Sequence, residues 1–130
     1  MASTILVVDD DVDFLTQMRL QLEAADFTVE TVETARAARD VLAQRKPDLV
    51  LVDLMMEDPD AGFSLCYHVK RLDPAIPVIV VTAVSGTTGL SFDAETDEER
   101  AWIKADSVLA KPVRFEQLQR EMQRLLKDRN

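Results

Sequence analysis

Five residues stand out by chemical type and position: Asp9, Asp10, Asp53, Thr82 and Lys111. Asp9, Asp10 and Asp11 form an unbroken carboxylate run directly after the aliphatic stretch Ile5-Leu6-Val7-Val8, and Asp13 stands just beyond it. Like charges this close raise one another's pKa unless a cation is supplied. Two readings of the run follow. It is a solvated helix start, where acids favour the helix dipole, or it is part of a metal seat. Asp53 closes a second apolar stretch, Thr82 lies near the end of a third, and Lys111 stands between Val-Leu-Ala and Pro112. Two or three carboxylates with a backbone carbonyl and water make a hard oxygen site suited to Mg2+. The Lys111 ammonium and the Thr82 hydroxyl suit phosphoryl oxygens better than they suit a metal. A carboxylate attacking phosphorus in line gives an aspartyl phosphate. In such a transfer the protein mainly positions groups and offsets charge.

The chain of 130 residues fits one compact domain, and 47% hydrophobic residues supply a normal core. The formal net charge of −9 argues against binding nucleic acid or anionic lipid, which needs dense Lys and Arg clusters. The single Cys66 excludes an internal disulfide, and no zinc spacing is present. The apolar run before Asp9 is too short for a signal peptide or a membrane span, so a cytoplasmic location is expected.

The elements that must position these residues alternate. Thr4–Val8 reads as a strand buried on both faces. Phe14, Leu15, Met18 and Leu22 recur at helical spacing to about Ala25, with Asp11 or Asp13 as N-cap. Phe27–Val32 reads as a strand, and Thr34 caps a helix whose inner face carries Ala35, Ala38, Val41 and Leu42, stopped by Lys46-Pro47. Asp48–Val52 is a strand ending in Asp53, Asp60-Ala61-Gly62 marks a loop, and Phe63–Leu72 is a helix. IPVIVVTA is a fourth strand. Ser85 to Thr96 reads as a loop, Glu95 to Ala105 as a short helix with Trp102, and Ser107–Ala110 as a fifth strand. Phe115, Leu118, Met122, Leu125 and Leu126 give the apolar stripe of a final helix. Strands alternating with helices imply a doubly wound α/β fold with a parallel sheet covered on both faces. Ligands on such sheets sit at the carboxyl ends of the strands. The five selected residues all fall there and should converge in space.

The segments VVDDD, LVDLMM, VIVVTA and AKPV, in this order, resemble the four signatures of the response-regulator receiver domain of two-component signalling. The resemblance spans essentially the whole chain, 1–130 as one receiver with no output domain, expected either as a stand-alone protein, which the Met start and polar, charged ending favour slightly, or as the excised N-terminal part of a longer regulator. It implies a flavodoxin-like sheet of order 2-1-3-4-5. It implies Asp53 as phosphoacceptor, Asp10 as a direct Mg2+ ligand, Asp9 acting mostly through water, and the Met55 backbone carbonyl completing the metal's protein ligands. Thr82 and Lys111 would each hold a phosphoryl oxygen, and the Lys111–Pro112 peptide is typically cis in the family. The implied partners are a sensor histidine kinase or histidine phosphotransfer protein. A downstream protein would bind the face of the fourth helix, fifth strand and final helix; homodimerisation is left open. Acetyl phosphate is a second candidate donor. The protein would be a phosphoacceptor with self-catalysed transfer, not an enzyme with turnover.

Several positions depart from the family pattern. Glu57 stands where a proline is usual, the loop glycine arrives one residue late as Gly62, and the segment between Thr82 and Lys111 is extended, with the surplus placed in 85–99. Val108 replaces the usual switch aromatic, with Phe92 or Trp102 as a candidate substitute. Met55 and Val84 are apolar and cannot orient an attacking water, which predicts slow self-dephosphorylation. His68 reads as a surface or core-edge residue, and Cys66 as a small buried hydrophobe. Two alternatives stand beside the receiver. One is a haloacid-dehalogenase-like phosphatase using Asp9 in an Asp9-x-Asp11 pair, which lacks the later acidic ligands and cap domain such enzymes need. The other is a pseudo-receiver that binds partners without phosphate.

Overall fold

The computed structural model describes residues 3–53, 59–83, 106–111 and 113–128. In chain order the elements are β1 (Thr4–Val8), α1 (Val12–Ala24), β2 (Thr28–Val32), α2 (Ala35–Gln44), β3 (Leu49–Asp53), α3 (Pro59–Leu72), β4 (Val78–Ala83), β5 (Ser107–Lys111) and α4 (Phe115–Asp128). The strands form one parallel five-stranded sheet of order β2-β1-β3-β4-β5, the expected arrangement.

Strand alternation sorts the core into two layers. Leu6, Val8, Val50, Val52, Val78 and Val80 face α2 and α3, where Ala38, Leu42, Leu65, Cys66 and Val69 meet them. Ile5, Val7, Leu49, Leu51, Ile79, Val81 and Leu109 face α1 and α4 and pack on Leu15, Met18, Leu22, Leu118 and Met122. Both faces of the central strands are buried, which explains their continuous apolar sequence.

Local chemistry sets the helix ends. The Asp11 carboxylate accepts the amides of Asp13 and Phe14 and caps α1, which decides between the two expected caps. Thr34 caps α2 through the Ala37 amide. The turn after α1 places Asp26 at φ 70°, with Asp26 N–H donating to Glu23 and Phe27 N–H to Leu22, a Schellman closure built on aspartate instead of glycine.

One boundary differs from expectation. α3 begins at Pro59, so Asp60-Ala61-Gly62 lies inside the helix rather than in a loop. Proline fits a first helical turn because its missing N–H has no intrahelical acceptor there. Smaller shifts put the start of β2 at Thr28, of β3 at Leu49 and of β4 at Val78, end α2 at Gln44, ahead of Lys46-Pro47, and extend β5 to Lys111. The expected helix over 95–105, the loop over 85–96, and Met55, Glu57, Asp58, Val84, Phe92, Trp102 and Pro112 lie outside the described residues.

Candidate functional site

The sheet's register builds the site. Val8 is level with Val52 across β1 and β3, so Asp9 and Asp53, each one residue further on, end neighbouring strands side by side. Asp9 stays in the ladder, its N–H donating to the Val32 carbonyl at 3.2 Å. Alternation then fixes their direction. Asp9 follows Ile5 and Val7, Asp53 follows Leu49 and Leu51, and Lys111 follows Leu109, so all three extend the layer that faces α1 and α4. β5 brings Lys111 level with Ala83 at the same end of the sheet.

The side chains meet there. Lys111 Nζ donates to Asp9 Oδ2 at 2.9 Å and lies 3.7 Å from Asp53 Oδ2. Asp9 is fully buried and Asp53 is 4% exposed. Ligand oxygens of Asp9, Asp10 and Asp53 all lie within 4.8 Å of one another, with Asp10 the exposed member. Asp9 Oδ1 also accepts the Asp11 amide at 2.9 Å, which ties the first strand end to the α1 cap. Asp11 itself is engaged in capping α1 and is not part of this group.

Burial pulls the Lys111 pKa down. The hydrogen bond it donates to Asp9 and the charges of Asp53, Asp9 and Asp11 push it up and prevail, holding it above its ordinary value of 10.5. The ammonium is therefore fixed as a cation at neutral pH. Three carboxylates against this one ammonium leave a formal surplus of two negative charges. An all-oxygen donor set with that surplus and one water-accessible carboxylate fits a divalent hard cation.

The Phe14 ring closes the site from the α1 side, its centroid 4.5 Å from Lys111 Nζ, a cation–π distance. This contact was not evident in the sequence, where Phe14 reads only as the first apolar residue of the α1 stripe. Of the expected residues, Asp9, Asp10, Asp53 and Lys111 are brought together. Thr82 is placed by its backbone alone, in β4 opposite Ala110. The Met55 carbonyl lies outside the described residues.

Residues 5–123 match the family model for the response regulator receiver domain. The chain belongs to this family. Among curated relatives, the transcriptional regulatory protein ZraR of Escherichia coli O157:H7 is 34% identical over 122 residues, covering 94% of this chain and 26% of that protein. The heme response regulator HssR of Staphylococcus haemolyticus is 36% identical over 123 residues, covering 94% of this chain and 50% of that protein. The chain thus spans between a quarter and half the length of these two relatives. Among solved structures, the CheY-like receiver domain protein of Methanospirillum hungatei JF-1 superposes with a TM-score of 0.83 at 24% identity, covering 99% of this chain and 97% of that one. A BeF3-activated DrrB receiver domain gives a TM-score of 0.79 at 27% identity, covering 98% of this chain and 99% of that one. Both likenesses agree with the order β2-β1-β3-β4-β5 of this receiver. Receivers of response regulators, as a family, work with histidine kinases and downstream effectors. No described helix of this receiver is long and apolar enough to cross a membrane.

Proposed function

We propose that this receiver accepts a phosphoryl group on Asp53 from a phosphohistidine donor and passes the signal on as altered partner binding. The observation that carries the reading is the meeting of Asp9, Asp10 and Asp53 within 4.8 Å, beside a lysine bonded to Asp9. Asp10 and Asp53, with the Met55 carbonyl, would hold Mg2+ directly, and Asp9 would act mostly through its water. The bound ion supplies charge neutralisation for the phosphoryl oxygens.

In the transfer, an Asp53 carboxylate oxygen attacks phosphorus while the P–N bond to the donor imidazole breaks, its electron pair leaving with the ring nitrogen. Lys111 holds a phosphoryl oxygen and the Thr82 hydroxyl donates to another. Lys111 stands 3.7 Å from Asp53, so it needs little movement to follow the incoming charge. Once Asp53 is esterified it carries the phosphoryl dianion, and Lys111 is drawn from Asp9 toward it. That exchange of partners at the end of β5 is the local event by which β5 and α4 would report phosphorylation to an effector. The relatives that carry this domain at 26% and 50% of their length support an output through protein contact with further domains or partners. The apolar Met55 and Val84 favour a long-lived acyl phosphate; a lifetime of seconds would contradict that part.

The test is acetyl phosphate with MgCl2, followed by intact and peptide mass spectrometry. One phosphoryl adduct on Asp53, absent from Asp53→Asn and from EDTA-treated protein, is expected. An adduct on Asp9 with turnover would assign a phosphatase. No adduct, and no response to beryllofluoride, would assign a phosphate-independent scaffold.

A further inference from the structure

Away from the acidic end, α2 and α3 enclose a groove of about 580 Å³ lined by Arg39, Ser64, Tyr67, His68, Arg71 and Leu72. The five α3 residues follow a spacing of three and four, so they form one helical stripe. The opposite stripe of α3, with Leu65, Cys66 and Val69, is fully buried against the sheet. The outer stripe carries a guanidinium, an imidazole, a hydroxyl and an aromatic ring that is 41% exposed. None of the described lining residues is acidic, in a chain with 24 acidic against 15 basic residues. Among the described residues neither Arg39 nor Arg71 has a carboxylate partner. Arg39 Nη2 donates to Ser64 Oγ at 2.6 Å, which fixes the guanidinium at the groove wall, and its other N–H groups have no partner among the described residues.

We propose that this groove binds a small phosphate-bearing ligand of nucleotide size. Two guanidiniums and an imidazole on facing helices match phosphate oxygens in charge and donor geometry. The groove's volume falls within the roughly 300–1,000 Å³ typical of small-molecule sites. The Tyr67 ring stands on the rim, 41% exposed, and Leu72 extends the apolar edge. The site is separate from the carboxylate cluster, and its occupancy would bias α3, the helix that follows Asp53 in the chain.

The probe is ADP, titrated without divalent cations and in EDTA so that the carboxylate cluster cannot recruit it, and read by amide chemical shifts. Shifts confined to residues 35–44 and 64–72, saturating at about 0.1–1 mM, are expected. Pyrophosphate should bind more weakly and adenosine should leave the spectrum unchanged. The Arg39→Gln/Arg71→Gln double variant should weaken ADP binding at least about tenfold, and Tyr67→Leu should weaken ADP but not pyrophosphate. Absence of shifts with ADP, equal binding by the double variant, or shifts centred on residues 9–14 would overturn the proposal. The double variant should still take a phosphoryl group on Asp53, so failure of this site and failure of the phosphoacceptor reading are separable.

Discussion

Neutralising Asp10 should stabilise the metal-free protein. Two unit charges 4.8 Å apart at an effective dielectric of about 20 repel by roughly 3.5 kcal/mol, and Asp10 faces two such neighbours in Asp9 and Asp53. Lys111, at 2.9 and 3.7 Å from those two buried carboxylates, offsets one of the three charges, and Asp10 adds to a formal surplus of two. Asp10 is exposed, so solvent and salt screen most of its repulsion. A net gain of about 1–2 kcal/mol for Asp10→Asn remains, a rise in Tm of about 3–6 °C for a domain of this size. Magnesium should act in the reverse sense. The wild type should gain about 1.4 kcal/mol at a free Mg2+ concentration ten times its Kd, and Asp10→Asn almost nothing. Thermal and urea unfolding in EDTA and in MgCl2 measure all four values. If Asp10→Asn proved less stable than wild type in EDTA, or kept the full Mg2+ response, the crowded-carboxylate account would be wrong.

Three further outcomes follow from named contacts. Phe14→Leu removes the ring face beneath Lys111, and a double-mutant cycle with Lys111→Met should return a coupling of about 0.5–1 kcal/mol, absent if the 4.5 Å contact carries no energy. Burial pushes the Cys66 thiol up from 9.0 to about 12, so the native state holds its proton more tightly than the unfolded chain. Stability from this group is therefore complete below pH 9 and falls between pH 9 and 12, at up to about 1.4 kcal/mol per pH unit, and Cys66→Val should flatten that decline in urea melts. Asp106 Oδ2 accepts both the Lys70 ammonium and the Val78 amide at 2.7 Å, so Asp106→Ala should cost about 2 kcal/mol and leave the Mg2+ response unchanged.

Much of the site could be read from the chain because strand ends announce themselves. Aliphatic runs that stop abruptly at Asp9, Asp53 and Lys111 mark the carboxyl edge of a parallel sheet, and Thr34 announces a cap by residue type alone. What could not be read depended on partners distant in sequence or on competing local signals. Phe14 is apolar and periodic, so it counts as core until β5 sets Lys111 against its ring. Gly62 and Pro59 are both breakers in isolation, yet proline at a helix start is favourable and the glycine is carried along inside α3. The stripe Ser64, Tyr67, His68, Arg71 and Leu72 looks like an ordinary solvated face, and acquires meaning only when Arg39 of α2 is placed across from it.

The two ends of the sheet handle carboxylates in opposite ways, and that contrast separates folding from function. At the amino end Asp48 and Asp106 have fixed donors. Asp48 Oδ2 accepts the Thr4 amide at 2.7 Å, and Asp106 accepts Val78 and Lys70, whose ammonium also reaches the Ile76 carbonyl at 2.8 Å. These bonds tie strand starts to their neighbours and contribute stability whatever the protein does. At the carboxyl end three carboxylates crowd around one ammonium, an arrangement that repels itself and is held by the packing of Ile5, Val7, Leu49 and Leu51 beneath it. A sheet selected for stability alone would have no reason to bring Asp9 and Asp53 to adjacent strand ends and leave a surplus of negative charge between them. Under the proposed function the arrangement would gain favourable energy from a bound cation and a phosphoryl group, as a switch requires: a crowded resting site whose relief depends on the signal. Substitutions of Asp48 or Asp106 at the amino end should therefore lower stability without changing the response to Mg2+, and neutralising Asp10 at the carboxyl end should change the response while leaving the metal-free fold as stable or more so.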